Sequence, residues 1–171
     1  MGANHRKVVA RYLDGRLVKG YTFDFGPAQP RFHVFAEPSA TGPSTRILLL
    51  ELKALFFVRD FAGDPAHQEA RQFAPGNAGR HVEVRFRDGE VMVGAVDGMA
   101  TDDPGFFLVP ADPESNNVRV YVIAAATRAV YPLPAPALAT AGSRSTGGDR
   151  SRPESPAAPP LPSRLLAWLT R

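Results

Sequence analysis

The hydrophobic pattern of the chain has a period of two over most of residues 1–133. In "VEVRFRDGEVMVGAV", apolar Val82, Val84 and Phe86 alternate with charged residues, and Asp-Gly separates this run from a second one. Such alternation predicts half-buried β-strands, and Asp-Gly between two of them predicts a tight hairpin turn. The stretch "VVARYLDGRLVKGYT", which begins at Val8, has the same design earlier in the chain. The sequence therefore predicts two equivalent hairpins.

The similarity extends beyond the hairpins. In the alignment that sets Val8 on Val82, Pro30 falls on Pro104, and with a gap in the following loop "KALFFV" aligns with "ATRAVY". Gly20 and its counterpart Gly94 lie inside a long strand, where glycine permits a bend that lets a small sheet curl. The pattern predicts five strands in each unit, at 8–13, 16–25, 31–36, 46–52 and 55–59 and then at 81–87, 90–97, 105–110, 118–124 and 128–131.

The predicted fold is mainly β: a tandem pair of small five-stranded SH3-like or Sm-like barrels at residues 7–61 and 80–133. Residues 62–79 form a connector with a short helix at 65–73, since Asp64 is placed to cap it and Pro65 suits its first position. Residues 134–171 are rich in Pro, Ser and Arg and predict a disordered tail. The tail ends in a short apolar segment that could dock on a partner, with candidate contacts at Leu165, Leu166, Trp168 and Leu169.

Composition narrows the chemistry. The chain has no cysteine, which excludes disulfides, thiol catalysis and cysteine-ligated metal. No segment approaches the roughly 18 apolar residues of a membrane span, so we expect a soluble cytoplasmic protein. The net charge of +3 comes from the tail, because residues 1–134 hold 15 basic and 15 acidic side chains. Residues 7–61 carry an excess of three positive charges and residues 80–133 an excess of three negative ones. The opposite charges suit docking of the two units at least as well as binding of a polyanion.

Three polar phrases carry the candidate binding residues. "ADPESNNVRV" could bind a cation or the polar edge of a ligand, although Asp, Pro, Ser and Asn are also ordinary turn formers. "VRDF", at the exit of the first unit, could contact an anion or a partner, or form a local ion pair. "RFHVF" offers a basic strand face. The candidates are Arg31, His33, Arg59, Asp60, Phe61, Asp112, Asn116, Asn117 and Arg119.

Other site types lack their signatures. No histidine has the spacing of a metal or catalytic site, and no glycine-rich phosphate loop is present. We therefore expect no catalytic residue, no metal and no cofactor. The pairs Phe56–Phe57 and Phe106–Phe107 must each direct one ring inward and one outward. We expect the inward rings in the core and the outward rings between the two units, in preference to an aromatic platform for nucleobases.

The run "VARYLDGRLVKG", and more weakly "VEVRFRDGEVMVG", resembles the first half of the Sm/Hfq signature. The resemblance implies a small barrel. In that superfamily the RNA site also uses a Phe-Asp, an Asn and an Arg-Gly. Here Gly26 replaces the Asp, Arg31 stands near the place of the Asn, and the Arg-Gly is missing.

The phrases "KGYTFDFGPAQPRFHVF", "LKALFFVRDFAGDPAH" and "GFFLVPADPESNNVRVYV" are similar to a bacterial family of unknown function, DUF6982. This resemblance covers roughly residues 7–133 and implies a domain with both units, without an activity.

These observations predict a non-enzymatic module that binds a protein partner in a regulatory or scaffolding role, with self-association as one possibility. A first alternative is binding of single-stranded nucleic acid, RNA above all, by the first unit through Tyr21, Phe23, Arg31 and His33. A second alternative is a small-molecule sensor whose ligand lies between the two barrels. Salt-dependent binding to oligonucleotides distinguishes the first alternative, because phosphate contacts weaken as salt rises.

Overall fold

The computed structural model describes residues 6–73, 79–98 and 103–134. They form ten strands and two short 3₁₀ turns, at Leu49–Glu51 and Ala124–Ala126. The strands are β1 (Arg6–Tyr12), β2 (Leu17–Thr22), β3 (Arg31–Phe35), β4 (Ser44–Leu48), β5 (Leu52–Val58), β6 (Arg80–Phe86), β7 (Val91–Val96), β8 (Gly105–Pro110), β9 (Asn117–Ile123) and β10 (Thr127–Pro132).

The strands make one open antiparallel sheet in the order β10-β6-β7-β8-β9-β5-β1-β2-β3-β4. The prediction of two five-stranded barrels joined by a helix is therefore wrong. A closed barrel would pair the fifth strand of each half with both the first and the fourth strand of that half. One edge of β5 does pair with β1, but its other edge pairs with β9 of the second half, from Ala54↔Val122 to Val58↔Asn117. Every residue of β5 is buried, so both faces of this central strand are covered.

An Asp-Gly turn connects the two strands of each hairpin, β1 with β2 and β6 with β7, as the sequence predicts. The glycines of these turns, Gly15 and Gly89, have φ angles of 89° and 88°, a region that glycine occupies without steric cost. The alternating residues of β6 are mostly buried where they are apolar and more exposed where they are polar. The local sequence thus determines the hairpins, whereas the pairing of β5 with β9 joins segments that lie far apart in the chain.

The two halves of the sheet pair their strands in the same way. The pair Val8↔Gly20 in the first half corresponds to Val82↔Gly94 in the second. From the fourth strand onward the alignment shifts by one position, so that "KALFFV" corresponds to "RAVYPL" and not to "ATRAVY". Even the irregularity next to Tyr12 in the β1–β5 pair has its counterpart next to Phe86 in the β6–β10 pair.

The connector contains no α-helix in its described part. Residues 65–66 form a turn and residues 67–71 have no regular structure, so the helix predicted at 65–73 is wrong. Asp64 does accept the backbone N–H of Ala66, at 2.9 Å, as a capping side chain would. Beyond this turn, His67, Glu69 and Ala70 form hydrogen bonds with the second half of the sheet and not with one another. Residues 74–78 and the whole tail from 135, including Leu165, Leu166, Trp168 and Leu169, lie outside the described residues.

The core is continuous along the sheet. It includes β5, the buried faces of β1, β6 and β9, and the rings of Phe32 and Phe86. Burial of this apolar surface is the main favourable contribution to folding. Among the described residues, no helix has the length and apolar character needed to cross a membrane.

Candidate functional site

Two of the polar phrases from the sequence meet where β5 ends. The backbone N–H of Arg59 donates to the Asn116 carbonyl at 2.9 Å. The Asn116 side chain accepts the Asp60 N–H at 3.1 Å and donates to the Asp60 carbonyl at 2.9 Å. The β5–β9 pair shifts register at this point, between Phe57 and Val58. The candidates Arg59, Asp60 and Asn116 are therefore neighbours, and these polar groups bind one another.

The Arg59 guanidinium continues this contact. It donates to the carbonyl of Ser115 at 3.1 Å and to that of Pro113 at 3.3 Å. It thereby satisfies two carbonyl groups of the loop before β9. The sequence makes Arg59 a candidate for an anion or partner contact or for a local ion pair. The structure shows a third arrangement, in which the guanidinium binds backbone carbonyls of a distant loop.

Asp112 fastens the connector to the same loop. Only 7% of this residue is exposed. One carboxylate oxygen accepts the N–H of Ala70 at 2.8 Å and lies 2.9 Å from His67 Nε2, while the other accepts the N–H of Glu114 at 2.9 Å. Burial by itself raises the pKa of Asp112, but the hydrogen bonds from these groups outweigh it and lower the pKa below its ordinary value. The ionised carboxylate is thus part of the folded structure.

Ser115 and Glu69 form a second attachment. The buried Ser115 hydroxyl donates to Glu69 at 2.7 Å and accepts the N–H of Asn117 at 3.0 Å. Burial raises the pKa of Glu69, an effect that the Ser115 hydrogen bond partly offsets and the nearby Asp112 charge reinforces. Asn117, the remaining polar candidate of this loop, has a buried side-chain oxygen that finds no hydrogen-bond partner among the described residues.

Within the part of the chain that the structure describes, His67, Glu69 and Asp112 form a group that could hold a cation. Each offers one ligand atom, and the three atoms lie within 4.8 Å of one another. Imidazole and carboxylate together suit Zn²⁺ or a similar ion. The hydrogen bonds of Asp112 to His67 and to Ala70 already account for the arrangement, because they satisfy the carboxylate and fix the connector. The cluster therefore has a structural explanation that needs no ion.

Arg119 occupies an aromatic site on the face of the sheet. Its guanidinium lies 4.7 Å from the ring centre of Phe57 and 4.5 Å from that of Phe107. Phe25 packs edge-on against Phe57 and Tyr121, at 5.6 and 5.3 Å. Burial lowers the pKa of Arg119, and the neighbouring Arg6 charge lowers it further. Phe57 and Phe107, the second rings of the two Phe-Phe pairs, thus meet between the halves of the sheet and both contact the Arg119 guanidinium.

The other candidates lie elsewhere. Arg31 and His33 are on β3, which is separated from β9 by β5, β1 and β2. His33 Nδ1 is 2.7 Å from Asp24, whose second oxygen accepts the His33 N–H at 2.9 Å. Phe61 packs edge-on against Tyr21 at 5.4 Å. The structure therefore does not unite all the candidate residues into one site.

The model of the family of unknown function DUF6982 matches residues 4–133. The chain belongs to the DUF6982 family. Curated proteins show no match to this DUF6982 chain, and solved structures show none either. The match covers all the described strands, so the ten-stranded sheet is the structure of the DUF6982 domain in this chain.

One polar cluster of the DUF6982 chain is not evident from the sequence. Lys53, only 3% exposed, contacts Asp88 at 2.5 Å and also Glu90, and Arg11 binds Glu90 at 2.6 Å. These ion pairs join the first half of the sheet to the second. The opposite charges of the two halves were the available signal for such docking, but they do not identify Lys53, which lies inside the apolar run "LKALFFV".

Proposed function

We propose that this DUF6982 chain is a non-enzymatic binding module that accepts an extended segment of a protein partner along the open edge of its sheet. The observation that carries the proposal is the state of β4. It is the last strand of the sheet and has β3 as its only neighbour among the described strands. An open edge of this kind offers a row of backbone donors and acceptors to an added strand.

The backbone of β4 indicates which groups are available. The N–H of Leu49 donates to Pro30 and that of Ala36 to Pro43. In an antiparallel ladder these bonds flank the pairs Arg31↔Leu48 and Phe35↔Ser44, so those residues do not bond each other directly. The N–H and C=O groups of Ser44, Arg46 and Leu48 consequently point away from β3, toward the open edge.

The side chains around this edge also suit a partner. Leu48 is 41% exposed and Leu50 is 64% exposed, next to the exposed Ser44, Thr45 and Arg46. Apolar side chains beside open backbone groups are a common arrangement where a strand is added, because alternate side chains of the added strand can find contacts. The polar candidates Arg59, Asp60 and Asp112 already have hydrogen-bond partners within the chain.

A photo-crosslinking amino acid at Leu48 tests the proposal. In the cells that naturally produce the protein, we expect crosslinks to an extended segment of a partner. The same probe combined with Arg46→Pro should give much weaker crosslinks, because proline removes an edge N–H while leaving the bonds to β3 intact. Arg46→Ala is the matched control and should retain them. A probe at Val118, which is 49% exposed on an interior strand, should not depend on position 46. Equal yields from Arg46→Pro and Arg46→Ala would contradict strand addition.

Binding of single-stranded nucleic acid by the first half is the second proposal, supported by the excess of three positive charges in residues 7–61. The described aromatic contacts favour it less, because Phe61 packs on Tyr21 and Phe35 packs on Phe23 at 5.5 Å. Titration with random oligonucleotides at low and high salt tests it. Absence of binding at low salt would contradict it, whereas phosphate contacts would give affinity that falls as salt rises.

A further inference from the structure

Among the described strands, the sheet has two end strands with one neighbour each and one internal junction between its halves. The ends are β4 and β10, and the junction is the β5–β9 pair. When the two halves are superimposed strand by strand, β4 corresponds to β9 and β10 corresponds to β5. The two strands left at the ends are therefore the counterparts of the two strands that pair at the junction.

The backbone groups at both ends have the directions that such a pairing needs. At β4 the groups of Ser44 and Arg46 point outward, as shown above. At β10 the N–H of Leu133 donates to the His81 carbonyl at 2.8 Å. This bond flanks the pair Val82↔Pro132 and shows that Pro132, and with it Val130, present their backbone outward.

From this correspondence we propose that the partner at the β4 edge is a second copy of the chain, which contributes β10. The inference rests on the proposed strand addition and specifies its partner. Copies associate head to tail, with the antiparallel register Arg46↔Val130, Thr45↔Tyr131 and Ser44↔Pro132. This register follows from the junction pairs Leu55↔Tyr121, Phe56↔Val120 and Phe57↔Arg119. The acidic half of one copy then lies beside the basic half of the next.

Two substitutions make the contact between copies weaker than the internal junction. Pro132 stands where Phe57 stands in the junction, and it has no N–H to donate. Arg128 and Arg16 stand where Lys53 and Glu90 form an ion pair, so two positive charges replace a pair of opposite charges. Association is therefore reversible and depends on concentration.

Engineered disulfides test the register directly, because the native chain contains no cysteine. Thr45 and Tyr131 are both exposed, and in the proposed register they form a pair without direct backbone bonds, the closer type of antiparallel pair. An equimolar mixture of Thr45→Cys and Tyr131→Cys chains should form a mixed disulfide dimer upon oxidation. Each variant alone should form far less dimer, and a mixture of Thr45→Cys with Val118→Cys should behave like the single variants.

Equilibrium sedimentation of the full chain gives an independent measurement. We expect Pro132→Val and Arg16→Glu each to tighten association by roughly tenfold, since each restores a feature of the internal junction. Arg46→Pro should weaken it by roughly tenfold or more relative to Arg46→Ala. These variants alter exposed positions, and the two tightening variants keep the test informative if proline at position 46 impairs folding.

Three results would overturn the inference. One is a wild-type chain that stays monomeric up to millimolar concentration with no response to Pro132→Val. Another is a disulfide dimer formed as readily by Thr45→Cys alone as by the mixture, which indicates β4 against β4. The third is crosslinking from Leu48 to a different protein while the copies remain monomeric. In that third case strand addition stands and only the identity of the partner is wrong.

Discussion

At the scale of single residues, Lys53 and Asp112 each place a charge in a position that water hardly reaches. Lys53 joins the halves of the sheet through Asp88 and Glu90, and its ammonium lies 4.4 Å from the ring centre of Phe86. Asp112 joins the connector to the loop before β9. A buried charge is tolerated when its partners are present and is costly when one of them is removed.

The first prediction concerns Lys53→Met. It leaves Glu90, whose side chain is 9% exposed, with Arg11 as its remaining ionic partner among the described residues. We expect the free energy of unfolding to fall by about 3 kcal/mol, measured by urea denaturation at pH 7. Arg16→Met is the control, because the Arg16–Asp14 pair is exposed and exposed pairs contribute little to stability. Equal losses in the two variants would show that burial of Lys53 has no energetic consequence.

The second prediction concerns Asp112→Asn. The pKa of Asp112 in the folded chain is lowered from its ordinary value of 3.8, so its ionised form stabilises the fold at any pH above 3.8. This stability is lost as the pH falls from 3.8 through the lowered pKa of the folded chain. We expect the variant to lose about 1–3 kcal/mol at pH 7. The difference from the wild type should shrink when urea denaturation is repeated near pH 3.

Glu69→Gln serves as the contrasting variant. The pKa of Glu69 is raised, so its ionised form is disfavoured in the folded chain, and the cost disappears as the pH falls. We expect Glu69→Gln not to reduce stability at pH 7. A pH-independent loss in Asp112→Asn, or a loss in Glu69→Gln as large as that in Asp112→Asn, would contradict the roles assigned to these carboxyl groups.

At the scale of elements, the strands and the pairing within each hairpin follow from the sequence, whereas the pairing between the two halves does not. The period of two and the Asp-Gly turns specify β1 with β2 and β6 with β7. The fifth strand of each half, however, has two possible partners, because the fourth strands β4 and β9 belong to halves with the same strand plan. Local pattern cannot choose between them. The alternative that forms uses "NVRVYVI", which is more apolar than "STRIL".

The candidate site shows the same division. The phrases "VRDF" and "ADPESNN" contain the residues that meet, and their turn-forming and polar character made them visible in the sequence. Their mutual contact depends on the β5–β9 pair and was therefore not predictable. The prediction of a helix at 65–73 is wrong for a related reason. Asp64 is a local signal for the start of a helix, but the N–H of Ala70 donates to the distant Asp112 carboxylate and not to a helix carbonyl. The buried ion pairs of Lys53 could not be predicted, because a single lysine within an apolar run does not indicate which acidic residues it will contact.

The third prediction belongs to the β7–β8 pair. A Cβ atom added to Gly94 would lie 2.4 Å from the Val109 carbonyl oxygen, which is backbone and cannot rotate away. We expect Gly94→Ala to lower the free energy of unfolding by about 3 kcal/mol. Gly98→Ala is the control, because no described residue other than its chain neighbours has an atom within 4 Å of its added Cβ. A loss below about 0.5 kcal/mol in Gly94→Ala, measured by thermal or urea unfolding, would mean that the two strands can separate at no cost.

At the scale of the whole molecule, the junction makes two halves into one sheet with a continuous core. The fourth prediction is that they unfold together. In native-state hydrogen exchange at low protein concentration, amides of β5 and β9 should share the highest opening free energy, equal to that of global unfolding. The outward amides of Arg46 and Val130 should exchange much faster. Two separate unfolding energies, one for each half, would contradict a single cooperative unit.

The pairing of β5 with β9 also has a consequence during synthesis. Val58 leaves the ribosome well before Asn117, its partner in the junction, with a delay of roughly 3–12 s at ordinary elongation rates. For that interval β5, every residue of which is buried in the folded sheet, has one unoccupied edge. A neighbouring nascent chain that has already exposed its own β9 can occupy that edge first, which would produce a domain-swapped dimer. Slow, well-separated translation should therefore favour the correctly paired monomer, and crowded polysomes should favour the swapped form.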